Sequence, residues 1–172
     1  MNPFVFRVLS CETIKTLCMK KTLSVLMAIV ICFFTGWLSS LLNTPAIDGW
    51  YQSLDRSSLT PPDYVFPVVW TILYLLMGIS AGLLYNNHKI SKVPLLWLFV
   101  LQLFFNVLWN FFFFYMQSPL LGLVNLLILD ILGAAYFIGT LWINRPSALF
   151  FVPYLLWLIF ASYLNMYIVI YN

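Results

Sequence analysis

Charged residues are scarce in this sequence: Asp, Glu, Lys and Arg make up only 8% of its 172 residues, whereas 63% are hydrophobic. A soluble domain carries roughly 25% charged residues because its surface faces water. The shortage excludes a soluble globular protein and predicts a surface that faces lipid. The chain is long enough for one bundle and for no separate soluble domain.

Residue types that bind metals or catalyse hydrolysis are also scarce. There is one histidine, His88, and the three cysteines (Cys11, Cys18 and Cys32) lack the spacing of a metal site or a disulfide framework. The sequence shows no Ser/His/Asp set and no Gly-rich phosphate loop. These absences exclude ordinary hydrolytic and redox machinery, and they predict no metal and no required cofactor.

Long apolar runs are abundant. Five of them reach the roughly 20 residues that are needed to cross a hydrocarbon core of about 30 Å. They cover about residues 22–42, 64–85, 93–116, 119–142 and 148–171. Backbone groups in lipid must be satisfied within the segment, so these runs are helices. The sequence therefore predicts an all-α integral membrane protein, a bundle of five transmembrane helices.

Two segments lie outside the predicted spans and their short links. Residues 1–18 form a polar extension that we expect to be weakly structured, before a single membrane domain over residues 19–172. Because Met19 directly precedes two lysines and an apolar run, it is an alternative start to Met1. Residues 43–63 form a long loop, and a loop of this length in a compact bundle is usually functional.

Basic residues are unevenly distributed around the spans. With five crossings, only Arg56 lies on the side of the long loop, and the other seven lie on the side of the N-terminus: Arg7, Lys15, Lys20, Lys21, Lys89, Lys92 and Arg145. Cytoplasmic flanks of spans carry an excess of Lys and Arg. We therefore expect a cytoplasmic N-terminus, with the long loop and the C-terminus outside.

Polar and aromatic residues recur at helical spacing in three of the spans. Gln102, Asn106 and Asn110 share a face that must point inward, because carboxamides are costly toward lipid. The stripe is either interhelical hydrogen bonding or the wall of a polar, aromatic cavity. The same faces carry Phe66, Trp70, Tyr74, Met77 and Ala81 in the second span, Phe105, Trp109 and Phe113 in the third, and Pro153, Tyr154, Trp157, Ala161, Leu164, Asn165 and Ile168 in the fifth. We expect Trp70, Trp109 and Trp157 to converge beneath the long loop.

Two further features lie within the spans. Asp130 is near the middle of the fourth, beside Gly133, Ala134 and Phe137, and an intramembrane carboxyl group is a functional hypothesis by default. The alternative is a neutral Asp130 that is hydrogen-bonded across a helix contact. Gly78 and Gly82 form a GxxxG pattern that indicates a close helix contact.

Several motifs resemble the TspO/MBR family, the tryptophan-rich sensory proteins of bacteria and the translocator protein of mitochondria. They are Trp50-Tyr51, Pro61-Pro62, residues 65–74 (VFPVVWTILY), Gln102-Leu103 with Asn106 and Trp109, and residues 153–157 (PYLLW) continuing through Phe160-Ala161 to Asn165. The similarity spans about residues 22–172, in order and at consistent spacing.

The resemblance implies a generally dimeric five-helix bundle with a pocket under the first loop. The implied ligands are porphyrins such as protoporphyrin IX and haem, and also sterol-like lipids. The residues that match the family's pocket are Trp50, Trp70, Tyr74, Asn106, Trp109, Trp157, Ala161 and Leu164. The resemblance also implies a bacterial cell membrane, with the mitochondrial outer membrane as the alternative, and no nucleic-acid partner.

Three functions remain open at this point. The first is a tetrapyrrole-binding protein for sensing or transport. The second is a light-dependent enzyme that degrades porphyrin and uses Trp50 and Trp157 as electron donors. The third is an ion-coupled transporter built around Asp130.

The chain departs from the family at two places. It lacks a tryptophan before Pro61, and no basic residue follows Tyr167. The second departure removes a sterol-recognition pattern that requires a basic residue after the tyrosine.

Overall fold

Helices account for all regular structure in the described part of the chain. The computed structural model describes the backbone of residues 3–47, 49–90 and 92–172, and the side chains of residues 18–42, 49–90 and 92–172. Arg7, Cys11, Lys15 and Asp48 lie outside the described side chains. The helices are α1 (Pro3–Ile47), α2 (Trp50–Ser53), α3 (Val65–Tyr85), α4 (Lys92–Asn110), α5 (Pro119–Ile143) and α6 (Arg145–Tyr171).

Within the described residues, five segments are long and apolar enough to cross a membrane. They are Cys18–Leu42, Val65–Tyr85, Lys92–Tyr115, Pro119–Ile143 and Arg145–Tyr171. The prediction of an all-α, five-span membrane protein is therefore confirmed. The third span is not a regular α-helix throughout, because Phe111–Tyr115 forms a π-helical turn that the sequence analysis did not predict.

Helix α1 extends beyond the predicted first span in both directions. It begins at Pro3, so the expectation of a weakly structured extension was wrong. Proline is tolerated in the first turn of a helix, and neither proline nor glycine follows until Gly36. Helix α1 ends at Ile47, and α2 occupies part of the remaining predicted loop. A start at Met1 or at Met19 stays a prediction.

The spans form a closed ring in which α1 packs against α3, α3 against α6, α6 against α5, α5 against α4, and α4 against α1. Glycines allow the close approach of α1 and α3. A Cβ atom on Gly82 would lie 2.5 Å from Cα of Val25, and one on Gly78 would lie 2.5 Å from Cα of Ile29. The GxxxG pattern therefore marks a helix contact, as predicted.

The predicted inward faces are largely confirmed. Gln102, Asn106, Asn110 and Asn165 are all at most 5% exposed. Pro153 is an exception because it is exposed, whereas Tyr154 is fully buried. Neighbouring residues on a helix point about 100° apart, so both cannot face the bundle axis. The inner face of α6 is centred on Tyr154 and Leu158 rather than on Pro153.

The two ends of the bundle differ in chemistry. The end that carries residues 49–64 and Asn172 is called the loop end. The opposite end carries Lys20, Lys21, Lys89, Lys92 and Arg145 and is called the basic end. Exposed Trp142 and Trp97 lie on spans near the basic end, where indole rings favour the membrane–water interface.

Candidate functional site

A small cavity lies inside the bundle, between α3, α4, α5 and α6. Its volume is about 30 Å³, which is room for one water molecule. Its lining residues are Phe66, Trp70, Asn106, Trp109, Leu126, Leu129, Trp157, Leu158, Ala161 and Leu164. Six of the eight residues expected from the family resemblance line it, and Tyr74 and Trp50 do not.

Tryptophans from three helices form the aromatic walls of the cavity, as the sequence predicted. The ring of Phe66 meets Trp157 edge-on at 6.0 Å between centroids, and Trp70 packs at 6.4 Å from Tyr154. Helix α5 contributes Leu126 and Leu129, which were not predicted to line the cavity. On an apolar helix, the sequence does not distinguish an aliphatic side chain that faces a cavity from one that faces lipid. Ala161 supplies the small residue in this wall.

Asn106 is the polar residue of the cavity, and a buried hydrogen-bond network holds it in place. The hydroxyl of Tyr74 donates to Asn106 Oδ1 at 2.9 Å, and Asn106 Nδ2 donates to the Tyr154 hydroxyl at 3.2 Å. Tyr74 therefore lies behind the cavity wall, where it orients Asn106. Of the stripe of carboxamides, Asn106 thus serves both in interhelical hydrogen bonding and as cavity wall, whereas Asn110 donates to the carbonyl oxygen of Asn106 in its own helix at 3.0 Å.

Trp109 brings a second polar group to the cavity wall. Its indole Nε1–H is buried and donates to no described group. A buried donor without a partner is costly, so this N–H group is suited to an acceptor on a bound molecule. The indole ring stacks on Phe113 at 5.2 Å between centroids, with 17° between the ring planes.

Trp50 lies one aromatic layer outside the cavity. It packs against Phe113 at 5.4 Å between centroids, and Phe113 in turn stacks on Trp109. None of the described residues of the segment 49–64 lines the cavity. The expectation of a pocket directly under the loop is thus modified: helices line the cavity, and Phe113 from the π-helical turn separates it from Trp50.

The segment 49–64 is fastened to the loop end of the bundle. The side chain of Asn172 makes two hydrogen bonds with the backbone of Asp55, accepting from its N–H at 2.8 Å and donating to its carbonyl oxygen at 3.1 Å. The hydroxyls of Ser57 and Tyr163 form a further hydrogen bond of 3.2 Å. These contacts hold the segment against α6.

Arg56 organises the interior of the same segment. Its guanidinium donates to Gln52 Oε1 at 2.9 Å, lies 3.4 Å from Asp63 Oδ1, and sits 4.9 Å from the centre of the Tyr51 ring. Burial raises the pKa of Tyr51 above its usual value, although the hydrogen bond and charge of Arg56 act in the opposite direction. Arg56, the basic residue that the sequence places on the side of the long loop, is thus engaged within the segment.

Asp130 lies at the contact between α5 and α6. Its Oδ2 accepts a hydrogen bond from the Ser162 hydroxyl at 2.7 Å, which confirms the expected bond across a helix contact. Gly133 also contacts α6, since a Cβ there would lie 2.9 Å from Leu155 Cδ2, whereas Ala134 is exposed. Asp130 does not line the cavity. Among the described residues, no group of three or more His, Cys, Asp or Glu side chains could hold a metal ion.

Comparison with known proteins gives consistent matches. The sequence profile of the TspO/MBR family matches residues 28–171. The tryptophan-rich protein TspO of Chlorobaculum tepidum is 38% identical over 148 residues, which cover 85% of this chain and 94% of that protein. The tryptophan-rich sensory protein of Cereibacter sphaeroides is 32% identical over 118 residues, covering 69% and 73%. The translocator protein of Bos taurus is 32% identical over 120 residues, covering 67% and 70%. The chain is a multi-pass membrane protein that belongs to the TspO/MBR family.

Proposed function

We propose that this protein binds a tetrapyrrole, such as protoporphyrin IX or haem, within the bundle for sensing or transport. The observation that carries the proposal is the convergence of Trp70, Trp109 and Trp157 on one cavity. A flat apolar macrocycle is best held by aromatic faces with a few polar groups that fix its orientation. Relatives named tryptophan-rich sensory protein and translocator protein are consistent with a sensing or transport role.

Binding requires the cavity to expand. The cavity measures about 30 Å³, whereas pockets for organic ligands of this kind typically measure about 300–1,000 Å³. We expect the expansion at the loop end of the cavity. Phe66 lies there, in the first turn of α3, and Phe113 stacks on Trp109. Displacement of these two rings would open the cavity towards residues 49–64. Movement of residues 49–64 would also release Arg56 from Gln52 and Asp63, and a free guanidinium pairs well with a propionate.

The orientation and the assembly are part of the same proposal. The basic end faces the cytoplasm, because Lys and Arg concentrate there and only Arg56 lies at the loop end. The loop end then faces the opposite compartment, from which the tetrapyrrole enters. A homodimer is the expected assembly. A bacterial cell membrane is the expected location, with the mitochondrial outer membrane as the alternative.

The test is a titration of the purified protein with protoporphyrin IX, followed by the porphyrin absorbance. Trp157→Phe shrinks one aromatic wall of the cavity, and we expect about tenfold weaker binding, the equivalent of about 1.4 kcal/mol. Trp142→Phe is the matched control, because Trp142 is 80% exposed and lies at the basic end. Equal affinities for these two variants, or no saturable binding by the wild type, would contradict the cavity assignment.

Light-dependent degradation of porphyrin is the weaker alternative. It requires Trp50 and Trp157 to reach the same ligand, and Phe113 separates Trp50 from the cavity in this structure. Illumination of the porphyrin complex distinguishes the two functions, because binding alone leaves the absorbance stable. Loss of absorbance that is slowed by both Trp50→Phe and Trp157→Phe would favour the enzyme.

A further inference from the structure

A groove lies at the basic end of the bundle, away from the aromatic cavity. It measures about 510 Å³ and is open to the surroundings. Helix α1 contributes Lys21 and Val25, and α3 contributes Leu83. The turn after α3 contributes His88, and the junction of α5 and α6 contributes Asn144. None of these residues takes part in the site already described.

The described lining of the groove has cationic and donor groups and no carboxylate. Lys21 and His88 are exposed, and neither side chain makes a hydrogen bond or an ion pair with a described residue. Lys92, by contrast, is engaged with the backbone carbonyls of Tyr85 and Asn87. The described residues that line the groove include no aspartate or glutamate. Among the described side chains, the charge of Lys21 therefore has no compensating carboxylate, and it favours an anion.

Carboxamides make the walls of the groove rigid. Asn86 Nδ2 donates to the backbone oxygen of Lys21 at 3.0 Å, and Asn86 Oδ1 accepts from Ser24 at 2.8 Å, which ties α1 to α3. Asn144 Nδ2 donates to the backbone oxygen of Leu83 at 3.0 Å. Each carboxamide nitrogen carries a second N–H. The groove thus presents preorganised neutral donors beside the two side chains Lys21 and His88.

The depth of the groove matches the headgroup layer of a bilayer. Val25 lies one turn further into the first span than Lys21, and Leu83 lies just inside the end of the second span, whereas His88 follows that end. Val25 and Leu83 form an apolar floor. A bound molecule therefore contacts polar groups on the water side of the groove and apolar side chains on the side of the membrane interior. Basic pockets between transmembrane helices on the cytoplasmic side are suited to anionic lipid headgroups.

We propose that this groove binds the phosphate group of an anionic lipid. Lys21 supplies the charge, the His88 ring and the carboxamides supply neutral donors, and the floor contacts the first carbons below the headgroup. A free phosphate shares the chemistry of the headgroup but has no apolar portion to place on Val25 and Leu83.

The experiment is native mass spectrometry of the delipidated full-length protein in detergent, titrated with phosphatidylglycerol and with phosphatidylcholine. We expect tighter binding of phosphatidylglycerol to the wild type. Lys21→Gln should weaken that binding about fivefold, the equivalent of about 1 kcal/mol for one lysine at the membrane surface. His88→Ala, which removes the ring N–H donor, should weaken it as well, while phosphatidylcholine binding stays unchanged in both variants.

Lys20→Gln is the matched control, because it removes the same charge from the neighbouring position of α1, which does not line the groove. Equal losses for Lys20→Gln and Lys21→Gln, or no preference of the wild type for phosphatidylglycerol, would overturn the proposal. Competition with millimolar inorganic phosphate distinguishes a site for free phosphate from a site for a lipid headgroup. Displacement of phosphatidylglycerol would support a site for phosphate alone, and no displacement would support a site for the lipid. Circular dichroism checks that each variant keeps its helical content.

Discussion

A methyl group added to α1 at Gly36 should disturb the aromatic cavity, although Gly36 does not line it. A Cβ atom at this position would lie 2.4 Å from Cε2 and 2.8 Å from Cδ2 of Tyr74. Carbon atoms pack best at about 3.5–4.0 Å, so the Tyr74 ring must move by about 1 Å. The ring has little room, because it is 6% exposed, packs on Trp70 and donates a hydrogen bond to Asn106.

The expected change in the free energy of unfolding is the sum of two destabilising contributions and one stabilising contribution. Overpacking typically costs about 1–3 kcal/mol, and a strained or lost bond to the buried Asn106 oxygen costs about 1–3 kcal/mol. Both arise from one displacement, so we take about 2–3 kcal/mol together. Replacing a helical glycine by alanine returns about 1 kcal/mol. The net loss of about 1–2 kcal/mol should lower Tm by about 5 °C for a chain of this length.

The assay is thermal unfolding of Gly36→Ala in detergent, paired with the porphyrin titration. Gly49→Ala is the control, since no atom lies within 4 Å of the added Cβ. In a Tyr74→Ala background the penalty of Gly36→Ala should largely disappear, because the obstructing ring is gone. A clash between the added methyl group and the Tyr74 ring is ruled out if Gly36→Ala melts like Gly49→Ala, or if the penalty is the same with and without the Tyr74 ring.

Two further substitutions test the loop end and the intramembrane carboxyl group. Asn172→Ala removes both bonds to the Asp55 backbone, worth about 1–2 kcal/mol together, and should speed porphyrin association about fivefold to tenfold in stopped-flow measurements. An unchanged rate, equal to that of Ser58→Ala in the same exposed segment, would show that entry does not require this segment to move. Asp130→Asn keeps an acceptor for Ser162 and leaves the cavity wall intact, so porphyrin affinity and flux into proteoliposomes should change less than twofold. A tenfold loss of flux would instead support an ion-coupled transporter.

The number of spans and the inward faces could be predicted from the sequence because both follow from one-dimensional patterns. Hydrophobic length determines whether a helix can cross the bilayer, and the expense of carboxamides in lipid fixes the orientation of Gln102 and Asn106. The size of the cavity could not be predicted. Helical periodicity predicts which aromatic side chains face the bundle interior, but it does not predict how closely their rings pack. Trp50 illustrates the limit: its position depends on the path of residues 43–64, where no periodic pattern exists.

The π-helical turn was missed for a different reason. The residues of Phe111–Tyr115 are all large, apolar and compatible with an α-helix, and no proline or glycine marks a change of winding. A π-helical turn is set by tertiary packing, here by the burial of both Phe113 and Phe114. Local sequence preference carries no information about such a choice.

This turn also has a consequence for how the gene can vary. The turn closes with a hydrogen bond from the Met116 N–H to the Phe111 carbonyl oxygen, at 2.9 Å, so it holds one residue more than an α-helical turn would. Its first four residues are identical phenylalanines, Phe111–Phe114, and deletion of any one of them yields the same protein. A single in-frame codon loss can therefore rewind the end of α4 as an α-helix while Trp109 and the residues before it keep nearly the same orientation relative to α5, because the turn loses only its extra residue. In an alignment of relatives, a one-residue gap at this run would mark the members whose third span ends without the turn.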